Sequence, residues 1–128
     1  MISNRVIGPV YHTTVASTAG AVTTLVPFGN DQINWAEFLN CGQFPVLVVV
    51  GPNSTGLPTP SIPASGTATP NTGANKQFVL PAGMTEARTI AVPQGGGGVT
   101  GFSYNAVALL SPANEFSDLF VTPVEAQP

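Results

Sequence analysis

The sequence predicts an all-β fold, a β-sandwich or jelly-roll-like arrangement with at most one or two short helices. Only three cationic and six acidic residues occur among 128, which is 7%, against about 25% in ordinary domains. Helices usually carry Glu, Lys and Arg on their solvent face, so this scarcity disfavours a helical protein. Valine, threonine and phenylalanine suit strands, and the 14 glycines and 13 prolines supply turns between them.

Short β-prone stretches separated by turn residues follow one another along the chain. Residues 6–15 form the first, broken at Gly8-Pro9, where we expect a bulge or a sheet edge because proline lacks an amide proton. The stretch 44–50, FPVLVVV, predicts a strand buried on both faces or in a sandwich core. Further strands are predicted in 21–28, 76–81, 85–93, 101–110 and 119–124.

The best helix candidate is NDQINWAEFLNCG, residues 30–42. Asn30 or Asp31 can cap its start and Gly42 can end it. A strand with Ile33 and Trp35 facing inward is the alternative. A single helical turn is also predicted in SPANEFSD, residues 111–118.

The length predicts a single domain over residues 1–128. Within it, residues 51–75 carry five prolines, no charge and few large apolar side chains, which predicts an extended loop or arm. The loop either lies free on the surface or crosses a neighbouring subunit. Residues 123–128 are expected to form a loose tail.

Reactive side chains are scarce. His12 is the one histidine and Cys41 the one cysteine, and no GxSxG sequence surrounds a serine. We therefore expect no enzyme activity, no catalytic residues, no metal and no cofactor, with His12 a structural or surface residue and Cys41 buried and inert. The run Gly95–Gly98 lacks the lysine and the following helix of a phosphate-binding loop, so it predicts a turn or a close backbone approach.

The charge pattern also restricts the partners. Three cations are too few to neutralise several phosphates, so we expect neither nucleic acid nor a membrane surface as a partner. A weakly charged, apolar-rich surface tends to associate, which favours a homo-oligomer or a larger assembly. The N-terminal residues lack the apolar core of a signal peptide, so synthesis in the cytoplasm without export is expected.

In composition the whole chain resembles bacteriophage capsid decoration (cement) proteins and other minor virion proteins. The shared features are small size, β-prone residues, abundant Gly, Pro and Thr, and low charge. The resemblance implies location in the virion and binding to the major capsid protein or another virion protein through the termini or long arms, in residues 1–15, 51–75 and 120–128. Candidate partner-binding residues are Leu57, Pro58, Pro60, Ile62, Gly96, Gly97, Val121 and Pro123.

A carbohydrate-binding or adhesive β-sandwich module of a fibre or spike is the alternative function. Sugar sites combine exposed aromatic rings with nearby amides, and Tyr11, Trp35, Tyr104 and Asn105 are the candidates for such a site. Exposed aromatics gathered in a groove would favour this function, whereas an apolar interface without a groove would favour the virion protein.

Overall fold

The structure, a computed structural model, describes residues 3–28, 32–68, 75–93 and 101–127. Within these ranges it contains nine β-strands and no helix. The strands are β1 Ser3–Val6, β2 Tyr11–Val15, β3 Thr23–Leu25, β4 Trp35–Asn40, β5 Val46–Gly51, β6 Lys76–Leu80, β7 Arg88–Ala91, β8 Phe102–Ala108 and β9 Ser117–Gln127.

The strands form two antiparallel sheets packed around one core. Sheet A has the order β1-β9-β4-β7, and β2 also pairs with β9. Sheet B has the order β3-β8-β5-β6. The buried core draws side chains from both sheets, so the predicted all-β class and its two-layer arrangement are confirmed.

Alternating side chains of the central strands face the gap between the sheets. On β8 the residues at period two, Phe102, Tyr104, Ala106 and Ala108, all belong to the core, as the sequence predicts. Phe38 of β4 meets three rings of sheet B edge-on, with centroid distances of 5.2, 6.5 and 6.3 Å to Phe78, Phe102 and Tyr104. This aromatic cluster holds the two layers together at their centre.

Both faces of β5 are buried from end to end. Val46, Val48 and Val50 face the core cluster, and the intervening Leu47 and Val49 are buried as well. The prediction of a strand buried on both faces is therefore confirmed.

The break at Gly8-Pro9 is a bulge at the edge of sheet A, as the sequence predicts. Val6 pairs with Val124 and Tyr11 pairs with Val121, so the four residues 7–10 lie opposite the two residues 122–123. Pro123 has no amide proton to donate to a neighbouring strand, but its carbonyl accepts a hydrogen bond from the Ile7 amide at 3.1 Å. The bulge thus lets a proline occupy the central strand of the sheet.

The predicted helix over residues 30–42 is wrong, because β4 occupies Trp35–Asn40. Ala36, Phe38 and Asn40 alternate inward between β7 and β9, and the two ladders override the local capping signals. Ile33 is fully buried as the strand alternative expected, but Trp35 is 41% exposed and faces outward.

Two further predictions are corrected near the C-terminus. Residues 111–116 form turns and no helical turn. The tail expected to be loose continues β9 as far as Gln127, where Glu125, Ala126 and Gln127 pair with β1.

The two Gly- and Pro-rich connections are described only in part. Residues 52–68 contain no strand and include turns closed by the Leu57 and Thr67 amides. The glycine run 95–98 lies outside the described residues, but the strands around it belong to different sheets, since β7 is in sheet A and β8 in sheet B. β7 and β8 therefore do not pair with each other as a hairpin.

A buried polar network ties the end of β4 to the start of β9. The Asn40 side-chain amide donates to the Phe44 carbonyl at 2.8 Å and to the Pro81 carbonyl at 3.0 Å. Asn40 Oδ1 accepts from the Gly42 amide at 3.2 Å and from Ser117 Oγ at 2.7 Å. Both side chains are fully buried, so all four hydrogen-bonding positions of this amide are used inside the protein.

Candidate functional site

A half-open cleft of about 510 Å³ lies between the edges of the two sheets, where β2 of sheet A approaches β3 of sheet B. We name it the hydroxyl cleft. Its lining is formed by β2, β3, the connection 16–22 between them and the middle of β8. Threonines 13, 14, 18, 23 and 24 are among its lining residues. The Thr24 hydroxyl lies 2.7 Å from Ser103 Oγ on the other face of sheet B.

Three of the four residues that the sequence singles out for sugar binding lie at this cleft. They are Tyr11, Tyr104 and Asn105. Tyr11 lies on the inward side of β2 at the sheet edge and remains 44% exposed, whereas Tyr104 is 1% exposed and forms part of the floor. Trp35 lies elsewhere, on the outward side of β4.

Hydrogen bonds from β8 fix the walls of the cleft. The Ala108 amide donates to the Ala16 carbonyl at 2.8 Å, and the Asn105 side-chain amide donates to the Gly20 carbonyl at 3.0 Å. The connection between β2 and β3 is therefore held near both of its ends. Asn105 is itself fixed, because its Oδ1 accepts from the Ala106 amide at 2.8 Å.

The floor of the cleft joins the two sheets. Thr13 Oγ1 of sheet A lies 3.2 Å from the Tyr104 hydroxyl of sheet B. Burial raises the pKa of Tyr104 to about 12, although the hydrogen bond with Thr13 acts in the opposite direction. The phenol therefore stays neutral at physiological pH. Among the described residues that line the cleft, none carries a charge.

A second surface feature is an apolar row across the outward side of sheet A. Val6, Val124, Trp35 and Ala91 lie directly opposite one another on β1, β9, β4 and β7. Val6 is 57% and Trp35 41% exposed, while Val124 between them is buried. We call these four residues the outer row.

His12 and Asp118 form the main polar cluster of the same outward side. His12 Nε2 lies 2.8 Å from Asp118 Oδ1, and the His12 ring stacks on Phe120 with a centroid distance of 4.5 Å. Both polar side chains are about half exposed, which agrees with the prediction of a surface histidine. Cys41 is also exposed, so the prediction of a buried thiol is wrong.

Metal-ligand clusters and membrane-spanning helices are not found among the described residues. Among them, no three His, Cys, Asp or Glu side chains gather where a metal ion would bind. No helix within the described ranges is long and apolar enough to cross a membrane.

The predicted partner-binding residues differ in their exposure. Ile62 is 64% exposed and Pro58 is exposed, Leu57 is half-buried with Cδ1 beside Gly51, and Pro60 is buried. Val121 and Pro123 are buried, so neither side chain is presented to a partner. Gly96 and Gly97 lie outside the described residues.

No family model, curated protein or solved structure matches the chain. The site must therefore be interpreted from its own chemistry. Sequence reasoning missed Thr13, Thr23 and Gly20, which line the cleft beside the predicted tyrosine pair. The available signal was the density of threonine, serine and alanine in residues 11–24, which also contain no acidic or basic side chain apart from His12.

Proposed function

We propose that this chain is a structural virion protein that binds to a phage capsid surface and stabilises or decorates it. The outer row is the observation that carries the proposal. It aligns Val6, Val124, Trp35 and Ala91 across one sheet face, with the buried Val124 between the exposed Val6 and Trp35 side chains. Trp35 and its neighbour Ala91 are both exposed. Neighbouring exposed apolar side chains mark an interaction site more often than scattered single side chains do.

The wider surface supports the same function. Eleven large apolar side chains of the described residues are more than a third exposed, among them Leu110 at 90%, Val10 and Ile62 at 64% and Phe28 at 60%. The whole chain has only nine charged residues, three basic and six acidic, to keep it in solution. A surface with this balance is stabilised when other chains cover it.

The edges of the sheets offer a second means of attachment. β7 ends one side of sheet A, and β3 and β6 end the two sides of sheet B. An extended segment of a partner can add to such an edge through backbone hydrogen bonds. On a capsid the same weak contact repeats over the lattice, and multivalency makes the attachment strong.

The test uses phage particles purified from cells that carry the gene for this chain. The particles are separated on a density gradient and probed for the chain, and the purified chain is measured by light scattering. We expect the chain in the particle band at a fixed ratio to the major capsid protein. A chain that stays in the soluble fraction and remains monomeric at every concentration would contradict the proposal.

A paired substitution tests the outer row directly. Val6→Ser with Trp35→Ser should release the chain from particles. The matched control is Phe116→Ser, which alters a 54% exposed ring in the connection between β8 and β9. If the control releases the chain as readily as the paired variant, the outer row is not the attachment surface.

The alternative, a carbohydrate-binding module, is favoured by one specific observation. The hydroxyl cleft gathers Tyr11, Tyr104 and Asn105 from positions far apart in the sequence. Attachment through the outer row and ligand binding in the cleft use different surfaces, so one chain can do both.

A further inference from the structure

We infer that the hydroxyl cleft is a binding site for a neutral saccharide, with the Tyr11 ring as its apolar platform. This inference goes beyond attachment to a capsid and does not depend on it. It rests on the shape of the cleft, on the chemistry of its lining and on the fixed position of its walls.

The size of the cleft suits a short oligosaccharide. Its volume of about 510 Å³ falls within the range of roughly 300–1,000 Å³ that small-molecule sites occupy. The cleft opens at the edge of the sandwich, between β2 and β3. A linear chain of sugars can therefore enter with its ends in solvent.

The polar groups of the lining match sugar hydroxyls. Threonine and tyrosine hydroxyls each donate one hydrogen bond and accept others, as the hydroxyls of a sugar do. Thr13, Thr18 and Thr23 line the cleft together with the Tyr11 phenol. Thr14 lies on the outward side of β2, and the Thr24 hydroxyl bonds to Ser103. Since no described lining residue is charged, a phosphate, a carboxylate or a cation would lose its hydration without gaining a counter-charge.

Two exposed apolar side chains are among the lining residues. Tyr11 is 44% exposed on β2, and Val22 is 37% exposed on the connection to β3. The C–H face of a pyranose ring packs against an aromatic ring in the same way as other apolar groups do. Its hydroxyls then point toward the threonines around it.

The walls are positioned before any ligand arrives. Ala16 and Gly20 of the connection are bonded to β8 through the Ala108 amide and the Asn105 side chain. Thr13 and Tyr104 join the floor across the two sheets. A site that is already ordered loses little conformational freedom on binding, which favours affinity.

An extended peptide is the competing occupant, because the cleft lies at two sheet edges. β3 has three residues and β2 has five, so the ladder available to an added strand is short. A short edge offers a peptide few backbone hydrogen bonds, whereas the side-chain hydroxyls of the lining can bond to a sugar. The cleft therefore suits a saccharide better than a peptide.

The test is an NMR titration of the full chain with maltotriose, cellotriose and chitotriose as neutral probes and sialyllactose as an anionic probe. We expect at least one neutral probe to bind in fast exchange, with a Kd of about 1 mM or below, and to shift resonances of Tyr11, Thr13 and Gly20. A lack of binding by all three neutral probes at about 10 mM, or binding of sialyllactose alone, would overturn the inference.

Substitutions locate the bound sugar. Tyr11→Ala should weaken binding about tenfold through loss of the ring contact. Phe116→Ala is the matched control, since that ring is 54% exposed but lies outside the cleft, and it should leave the Kd unchanged. If both variants weaken binding equally, the sugar does not occupy the cleft.

A second blocking variant keeps the test valid if Tyr11→Ala fails to fold. Ala21 is exposed on the cleft wall, so Ala21→Trp should fill the opening and abolish binding while the strand resonances stay in place. A synthetic peptide of residues 51–68 is titrated in parallel. Cleft resonances that respond to the peptide but to no sugar would assign the cleft to peptide docking instead.

Discussion

Replacing Asn40 with alanine should destabilise the protein far more than its small change in volume suggests. The side chain is fully buried and makes four hydrogen bonds. In the variant, the Pro81 carbonyl and the Gly42 amide lose the partner that the structure gives them. The Phe44 carbonyl keeps its bond from Ser117 Oγ at 2.9 Å.

The magnitude follows from the two orphaned backbone groups. A buried polar group left without a partner costs about 1–3 kcal/mol. Since Gly42 is half-buried and Pro81 is exposed, each loss lies at the low end of this range, and the two together cost about 2 kcal/mol. A whole domain is stable by only about 5–15 kcal/mol. The Asn40→Ala protein should therefore remain folded at low temperature but unfold at a much lower urea concentration.

Ser117→Ala is the matched comparison, because it removes a hydroxyl from the same network without leaving a backbone group unpaired. The single hydroxyl proton of Ser117 is shared between the Phe44 carbonyl and Asn40 Oδ1, and each of those acceptors keeps another donor. No group is orphaned, so the loss should be about 1 kcal/mol. Gln43→Ala, at an exposed amide nearby, should change stability by less than about 0.5 kcal/mol.

Urea unfolding followed by circular dichroism and by Trp35 fluorescence measures the three free energies of unfolding. Coincident transitions from the two probes establish two-state behaviour. The reasoning is refuted if Asn40→Ala loses no more stability than Ser117→Ala, because the count of orphaned groups would then not determine the cost.

The remaining predictions concern a close backbone contact, a tyrosine and a thiol. Gly101→Ala should lower the free energy of unfolding, measured in urea, by about 3 kcal/mol, because its Cβ would clash with the Leu25 carbonyl oxygen. Gly20→Ala is the control, since its Cβ would meet no atom and stability should not change. Equal effects of the two substitutions would contradict this prediction. Tyr104 should titrate by ultraviolet absorbance near pH 12. Because the unfolded chain loses that proton near 10.0, stability should fall as pH rises from 10 toward 12, and Tyr104→Phe should show a smaller fall. Cys41 is exposed, so the native protein should react with one equivalent of a thiol reagent without unfolding; a thiol that reacts only in urea would contradict the structure.

Sequence reasoning predicted the class of fold because composition and period-two patterns are local signals. Strand β8 is the clearest case, since every second residue from Phe102 to Ala108 is in the core. The strand β5 was equally evident from its run of aliphatic residues.

The strand β4 shows where that reasoning fails. Asn30, Asp31 and Gly42 are helix-capping residues by type, but the segment pairs with β7 on one side and β9 on the other. These partners lie about 50 and 80 residues further along the chain, so no local propensity reports them. The orientation of Trp35 and the exposure of Cys41 depend on the same pairing.

Residue type indicated several members of the candidate site, but it did not indicate where in the fold they meet. Tyr11, Tyr104 and Asn105 were recognised by type, yet only the approach of β2 to β3 and β8 brings them to one cleft. Trp35, chosen by the same criterion, lies on the other side of sheet A. Residue type indicates what a site can bind, whereas sheet topology decides which residues share it.

The position of β9 has a consequence for how the chain folds during synthesis. β1, β2 and β4 of sheet A all pair with β9, the last of the nine strands to leave the ribosome. Sheet B can assemble from β5, β6 and β8 before then, since its central ladders need nothing beyond Ala108. β1 and β2, whose described ladders are with β9, must therefore wait for it, and closure of sheet A should be the slow, concluding step of folding.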